Sequence, residues 1–312
     1  MIADRPLAMV GAVMIGVLTA IQARVNGSLG ERLQDGFVAA AVSFGSGLLI
    51  LVAVSLALPA GRRGLTTLTT GLRARTVPWW MLIGGFAGAF SVATQSLTVA
   101  VIGVSLFTVG MVAGQAVNGL VLDRAGYGPA GVVAVTMSRV LGASIAVGAV
   151  LLSVTGESVR GVPWWMLVLP FLVGAGIAWQ QATNGRLRQR VGSALTATAV
   201  NFAGGTLVLL AAAAVHVLLV GPPEAFPTEP WLYLGGALGV AYIFIGAAVV
   251  QHTGVLLMGL GAVVGQLTTS VVLDALWPTV ASPGTVIGIV VSAIALVGAA
   301  SPRSVIAKMA FR

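Results

Sequence analysis

Two segments of this sequence, residues 103–123 and 254–274, are versions of the same apolar helix. Each is about 20 residues long, which is the length of helix that crosses a hydrocarbon core of about 30 Å. A chain that carries such a segment twice is predicted to consist of two related halves. In membrane proteins, that architecture is typical of transporters. The identical positions include Gly103/Gly254, Gly110/Gly261, Gly114/Gly265, Gln115/Gln266 and Asp123/Asp274.

The composition independently predicts an all-α integral membrane protein. The chain is 58% hydrophobic and only 8% charged, whereas a soluble domain has about 25% charged residues. It has no cysteine, and its two histidines, His216 and His252, are far apart, so we expect neither disulfides nor a metal site. The net charge is +8, but the arginines lie between apolar runs and are interpreted as orientation signals. The expected partners are the lipid bilayer and a small-molecule substrate, with no nucleic acid and no cofactor.

The charge-free runs predict ten transmembrane helices. Runs 76–122 and 230–273 are each long enough for two helices, with hinges expected near Gly103 and Gly254. Residues 130–154 add one helix, with Arg139 inside it. The first run is not preceded by net positive charge, so we interpret it as a span and not as a cleaved signal peptide. The remaining runs are 6–23, 36–61, 161–185, 191–223 and 275–302.

The repeat divides the chain into two five-helix halves, residues 1–157 and 158–312. The polar pair Gln22 and Asn26 recurs as Gln180 and Asn184 at a constant offset. Because five is odd, the second half must cross the membrane in the opposite orientation.

The charges support this inverted topology. With the N-terminus inside, twelve basic residues fall on the inner side and three on the outer side. The 59–77 loop is basic, while its equivalent at 220–230 has only Glu224 and Glu229 as charged residues. We therefore expect a bacterial inner-membrane protein with both termini in the cytoplasm, as a monomer or homodimer. The inner residues are Arg5, Arg62, Arg63, Arg73, Arg75, Arg124, Arg186, Arg188, Arg190, Arg303, Lys308 and Arg312, and the outer ones are Arg24, Arg32 and Arg160.

These features resemble the drug/metabolite transporter superfamily, and within it the YdcZ-like (EamA-related) branch, which contains five-helix proteins and ten-helix fusions. The resemblance covers nearly the whole chain and implies a ten-helix inverted-repeat permease, without naming its substrate. No arginine on the tenth helix matches Arg139. The resemblance rests on the two Gln/Asn pairs, Trp79-Trp80, the Gly103, Gln115 and Asp123 helix, and Ser138-Arg139-Val-Leu-Gly142.

Inverted-repeat transporters bind substrate near the midplane, between the halves. Gln115 lies eight residues, or about 12 Å, before Asp123, and Gln266 stands in the same relation to Asp274, so both amides are expected near mid-membrane. Membrane amides also form bonds that only hold helices together, and this alternative stays open. For Asn26 and Asn184 a structural role also stays open, because Asn-Gly suggests a turn or a helix cap. The predicted substrate-binding residues are Gln115, Gln266, Met111, Asn118, Thr269, Gln22, Gln180, Ser91 and Gln95.

The leading hypothesis is a secondary transporter that works by alternating access. No Asp or Glu lies in the middle of a predicted span, so a cation would find no counter-charge, and we expect a neutral, zwitterionic or anionic metabolite. The carboxylates and histidines are too scattered for a membrane enzyme, and no catalytic residue is predicted. The alternatives are a non-transporting membrane accessory protein and, less favoured, a membrane enzyme. Asp123 and Asp274 are interpreted as helix caps.

Overall fold

The computed structural model describes residues 4–134 and 163–276, with a few isolated positions between 136 and 148. The regular elements in this part of the chain are helices, which confirms the all-α prediction. Short 3-10 turns at Trp79–Leu82 and Pro230–Tyr233 precede the two longest helices. The α-helices are α1 (Asp4–Leu33), α2 (Gly36–Ala57), α3 (Pro59–Arg73), α4 (Gly85–Arg124), α5 (Trp164–Val191), α6 (Ala194–Val220) and α7 (Gly235–Leu276).

Six stretches of the described residues are long and apolar enough to cross a membrane. The fifth and tenth predicted spans lie largely or wholly outside the described residues, and so does Arg139. The count of ten therefore stays a prediction. The six stretches are Leu7–Leu33, Gly36–Ala57, Trp79–Val99, Trp164–Val191, Ala194–Val220 and Pro230–Val255.

Local sequence signals begin and end several of these helices. Asp35 accepts hydrogen bonds from the first free N–H groups of α2, at Phe37 and Val38, and Ser193 does so for α6 at Thr196. Gly192 ends α5 with φ 69°, a left-handed conformation that favours glycine.

One turn prediction is wrong. The Asn-Gly pairs do not end their helices, because α1 continues to Leu33 and α5 to Val191. Each glycine instead makes room for a neighbouring helix: a β-carbon at Gly27 would lie 2.9 Å from Val99 Cγ1, and one at Gly185 would lie 2.6 Å from Val250 Cγ1. Tertiary packing therefore overrides the local turn preference of Asn-Gly.

Glycine contacts between the halves occur in equivalent pairs. Gly16 of α1 packs so closely on α7 that a β-carbon would overlap the carbonyl oxygen of Ala262, and Gly174 of α5 packs in the same way on Met111 of α4. The positions in each pair are related by the offsets seen in the sequence repeat. The first helix of each half, α1 or α5, therefore packs against the other half.

The centre of the molecule is an aromatic pair between α2 and α6. The rings of Phe44 and Phe202 lie 4.8 Å apart between centroids. Gly47 faces the ring of Phe202, and Gly205 faces the ring of Phe44. Because both members of each pair are equivalent positions of the repeat, this contact marks the pseudo-symmetry centre of the described helices.

The predicted hinge at Gly254 is confirmed. Gly254 has φ 73° and ψ 171° inside α7, which bends the helix there. Positive φ is accessible to glycine at little cost. The equivalent hinge at Gly103, which falls inside the range of α4, stays a prediction.

The two ends of the bundle differ in charge. At one end, called the arginine end, α3 packs on the start of α6 through Gly64, and Arg190 Nη1 donates to the carbonyl of Thr76 at 3.0 Å. At the other, called the carboxylate end, Arg32 pairs with Glu229 at 3.2 Å. The arginine end carries Arg62, Arg63, Arg73, Arg75, Arg124, Arg186, Arg188 and Arg190, and the carboxylate end carries Arg24, Arg32, Glu31, Asp35, Glu224 and Glu229.

A candidate substrate site between the halves

Helix α4 and the second part of α7 pack against each other in antiparallel directions. Thr108 Oγ1 lies 3.1 Å from Ser270 Oγ, and a β-carbon at Gly259 would lie 4.0 Å from Cβ of Gln115. Gln266 is seven residues from Gly259, so the two glutamines sit at levels about 10 Å apart along the helices. The packing therefore places Gln115 against α7, and it places Ser270, one turn after Gln266, against α4.

Both amides are buried, and neither is fully satisfied by the described protein atoms. Gln115 is 2% exposed and Gln266 is 1% exposed. Within the described part of the chain, Oε1 of Gln115 and both Oε1 and Nε2 of Gln266 have no hydrogen-bond partner. A buried amide without partners costs about 1–3 kcal/mol. The two side chains are thus available to hydrogen-bond a ligand.

Three predicted neighbours of these glutamines have different surroundings. Asn118 Nδ2 donates to the carbonyl of Ala175 on α5 at 2.7 Å, which is a bond between helices. Met111 packs in an apolar cluster with Phe107 and Val173. Thr269, at the position equivalent to Asn118, is half-buried. The amide of Asn118 is therefore already used in helix packing.

Four polar side chains of the first half meet in one buried group, called the first amide cluster: Gln22, Asn26, Ser91 and Gln95. Asn26 Nδ2 donates to Gln95 Oε1 at 2.9 Å, and Gln95 Nε2 lies 3.4 Å from Ser91 Oγ. Gln22 Nε2 donates to the carbonyl of Gly235 at 2.8 Å, across the boundary between the halves. Oε1 of Gln22 and Oδ1 of Asn26 lack partners in the described region.

The second amide cluster consists of Gln180, Asn184 and Asn201. Gln180 Nε2 donates to Asn201 Oδ1 at 2.8 Å, and Asn201 Nδ2 lies 3.4 Å from Asn184 Oδ1. Oε1 of Gln180 has no partner among the described residues. Asn201 was missed as a site residue, although it stands at the repeat position of Ser43 and was the one amide in an otherwise apolar and small segment.

The Phe44 and Phe202 pair separates the two amide clusters. A β-carbon at Gly239 would contact both Gln22 Nε2 and the ring of Phe202, and one at Gly88 would contact both Gln180 Nε2 and the ring of Phe44. Across the interface, the first amide cluster is therefore followed by the two aromatic rings and then by the second amide cluster.

Two buried carboxylates stabilise helix ends near this interface. Asp123 Oδ1 accepts a hydrogen bond at 3.0 Å from the N–H of Val255, the first residue after the bend at Gly254, as the capping prediction requires. The side chain of Asp274 is not described.

Asp35, besides capping α2, lies 3.0 Å from His216 Nδ1 on α6. The sequence analysis missed this pair because its members are 181 residues apart.

The clusters contain amides and hydroxyls. Among the described residues, no group of three His, Cys, Asp or Glu side chains could hold a metal ion. Each cluster can both donate and accept hydrogen bonds, and neither offers a full charge.

Comparison with known proteins supports a repeated transporter fold. The model of a family described as "Putative inner membrane exporter, YdcZ" matches the chain twice, over residues 7–152 and 156–300. A solved structure, described only as a crystal structure of a protein, is 17% identical with a TM-score of 0.62, and the alignment covers 96% of each chain. That identity supports a shared fold alone. No curated protein matches the sequence significantly.

Proposed function

The chain belongs to the YdcZ family of inner-membrane exporters, within the drug/metabolite transporter superfamily, and we propose that it moves a small neutral, zwitterionic or anionic metabolite by alternating access. The working unit is the pair of inverted halves 1–157 and 158–312, with ten spans and both termini in the cytoplasm. The family is one of transporters and not of enzymes.

The inverted arrangement is supported by three observations. The family match occurs once in each half. Equivalent glycine contacts, such as those of Gly16 and Gly174, join each half to the other. The antiparallel packing of α4 and α7 is what two halves of opposite orientation require.

The observation that carries the proposed site is the side chain of Gln266. Both of its polar atoms are buried without a partner in the described region, while Asn118 on the neighbouring helix has a carbonyl partner at 2.7 Å. An amide that only held helices together would show such a bond. We therefore assign Gln115 and Gln266 to substrate binding, and Asn118 to helix packing.

The mechanism follows from the order of the groups across the interface. Each amide cluster lies on its own side of the Phe44 and Phe202 pair, so substrate entering from either end would meet amides first and the aromatic pair next. Rocking of the halves about this pair would expose one cluster and close the other, as in other inverted-repeat transporters. The glycine contacts permit this motion because no side chain lies between the helix backbones.

The substrate class is supported by the charges. Apart from residues at helix ends and loops, the spans carry no Asp or Glu. A cation would have no counter-charge there, whereas amides can hydrogen-bond a neutral or zwitterionic solute.

The test is untargeted metabolite analysis of the medium of cells that express the wild type, the variant Gln115→Met/Gln266→Met, or an empty vector. We expect one class of small polar metabolites to accumulate in the medium of wild-type cells only. Identical media for wild type and empty vector, with the protein present in the membrane, would favour the non-transporting accessory protein. Equal accumulation for the wild type and the variant would support transport and would show that the two glutamines are not part of the substrate site.

A further inference from the structure

Helix α3 lies at the membrane surface. It begins at Pro59, directly after the span that ends at Ala57, and its chain returns to the membrane at Trp79. One side of α3 is buried through Gly61, Gly64, Leu68 and Gly71. A helix that connects two spans in this way, with its small residues turned to the protein, is held flat against the end of the bundle.

The outer side of α3 presents arginine and threonine. Arg63, Thr66, Thr67 and Thr70 are spaced i, i+3, i+4 and i+7, so they share one face. They line a groove of about 510 Å³ that Thr76 closes from the following turn. The hydroxyls of Thr66, Thr67 and Thr76 donate to backbone carbonyls, so the donors that this face offers to a phosphate group are its guanidinium groups, each of which can donate two hydrogen bonds to phosphate oxygens.

The arginine end has a large uncompensated charge. It carries eight arginines, and among the side chains that the structure describes, its one carboxylate is Asp123, which is 1% exposed and bonded to Val255. The carboxylate end, in contrast, pairs Arg32 with Glu229, and its two arginines are outnumbered by four carboxylates. Among the described residues, no exposed carboxylate offsets the charge of the exposed arginines at this end.

Three of these arginines have structural roles and are left out of the site, and one of them is Arg190, which donates to the carbonyl of Thr76. Arg62 Nη1 donates to the carbonyl of Leu56 at 2.6 Å, which caps α2. Arg186 lies over the ring of Tyr127, 5.0 Å from its centroid. Arg63, Arg73 and Arg75 are exposed on α3 and its following turn.

We propose that the outer face of α3, with Arg63, Arg73 and Arg75, binds the phosphate headgroups of anionic phospholipids in the adjacent leaflet. This site is separate from the amide clusters, and it does not depend on the proposed transport. Its position at the membrane surface favours a lipid over a soluble phosphate, because a basic segment beside the bilayer gains from the negative potential of anionic lipids.

The test uses purified full-length protein in detergent, titrated with mixed micelles that contain either phosphatidylglycerol or phosphatidylcholine, with the melting temperature as the readout. We expect phosphatidylglycerol to raise the melting temperature and phosphatidylcholine to leave it unchanged. In Arg63→Gln/Arg73→Gln/Arg75→Gln the apparent affinity for phosphatidylglycerol should fall by about fivefold per arginine, on the order of 100-fold in all. Should the triple variant not fold, Arg63→Gln alone should lose about fivefold.

The control is Arg24→Gln/Arg32→Gln, which removes two arginines from the carboxylate end and should keep the wild-type lipid affinity. Equal affinity of the wild type and the triple variant would overturn the proposal. A third arm adds inorganic phosphate to the wild type without lipid. An increase in melting temperature with phosphate as large as that with phosphatidylglycerol, and lost in the triple variant, would identify a soluble anion as the ligand and would also overturn it.

Discussion

Burial of the unpartnered Gln266 amide destabilises the protein, and hydrogen bonds to a bound substrate would offset that loss. With neither Oε1 nor Nε2 partnered in the described region, replacing it by methionine keeps the side-chain volume and removes two unsatisfied atoms. Gln266→Met should therefore leave the free energy of unfolding unchanged, or raise it by up to about 1–3 kcal/mol. Thermal or denaturant unfolding of the unliganded protein in detergent measures this effect.

Asn118 supplies the comparison for that variant. Its amide donates to Ala175 at 2.7 Å, so Asn118→Ala should lower the free energy of unfolding by about 0.5–2 kcal/mol in the same measurement. The interpretation of the two residues would be wrong if Gln266→Met destabilised the protein as much as Asn118→Ala does.

Much of the candidate site could be predicted residue by residue, because the repeat itself marks Gln115 with Gln266 and Gln22 with Gln180. The hydrogen-bond partners of these amides could not be predicted. Whether an amide binds Ala175 or stays free depends on which carbonyl faces it across a helix pair, and sequence spacing does not determine that. Asn201 was missed for the same reason, since its partner Gln180 lies on another helix.

At the scale of single helices, the close contacts of α1 with α7 and of α4 with α5 depend on glycine. A β-carbon at Gly16 or Gly174 would overlap a backbone carbonyl of the facing helix. Gly16→Ala and Gly174→Ala should each destabilise the protein by about 1–3 kcal/mol or more. Melting temperatures of the purified variants measure the loss.

Gly45 of α2 is the matched control for these glycines. No described atom lies within 4 Å of a β-carbon placed there, so Gly45→Ala should be neutral or stabilise α2 by about 0.5–1 kcal/mol. Equal losses at Gly16 and Gly45 would mean that close contact between the halves does not explain the effect, because alanine has the higher helix propensity at both positions.

Asp123 accepts its hydrogen bond from the helix segment that begins at the bend in α7. Because Asp123 Oδ1 accepts from the N–H of Val255 at 3.0 Å, Asp123→Ala should cost about 0.5–2 kcal/mol, while Asp123→Asn, which keeps an acceptor, should lose much less. Chemical denaturation of the two variants beside the wild type checks this. A loss in Asp123→Asn as large as in Asp123→Ala would show that the negative charge is what matters.

The bend itself could be predicted from sequence, since Gly254 interrupts a run too long for one span and precedes a segment that ends in a carboxylate. The amphipathic helix α3 was treated only as a basic loop. Its buried glycines face α2 (Gly61), the start of α6 (Gly64) and the following turn (Gly71), so its helical form is stabilised by contacts that a linear charge count does not contain. The Asp35 and His216 pair was also beyond the sequence, because it joins helices from different halves.

For the whole molecule, the charge difference between its ends predicts orientation. The chain has no cysteine, so a cysteine introduced by substitution is the one thiol that a labelling reagent can modify. Thr69 of α3 and Thr228 of the opposite end are both exposed. An impermeant thiol reagent should label Thr69→Cys only from the cytoplasmic side and Thr228→Cys only from the external side. Labelling of both from the same side would contradict the inverted arrangement.

The central claim is that the two glutamines at the interface of the halves bind substrate. The most direct measurement is a melting-temperature screen against a metabolite library, run on the wild type, on Gln115→Met/Gln266→Met and on the control Gln251→Met. A ligand that binds the folded state raises the melting temperature by mass action. We expect a polar metabolite to shift the wild type and the control, and not the double variant, whose unliganded melting temperature should equal or exceed that of the wild type. A ligand that shifts all three proteins equally would contradict the claim.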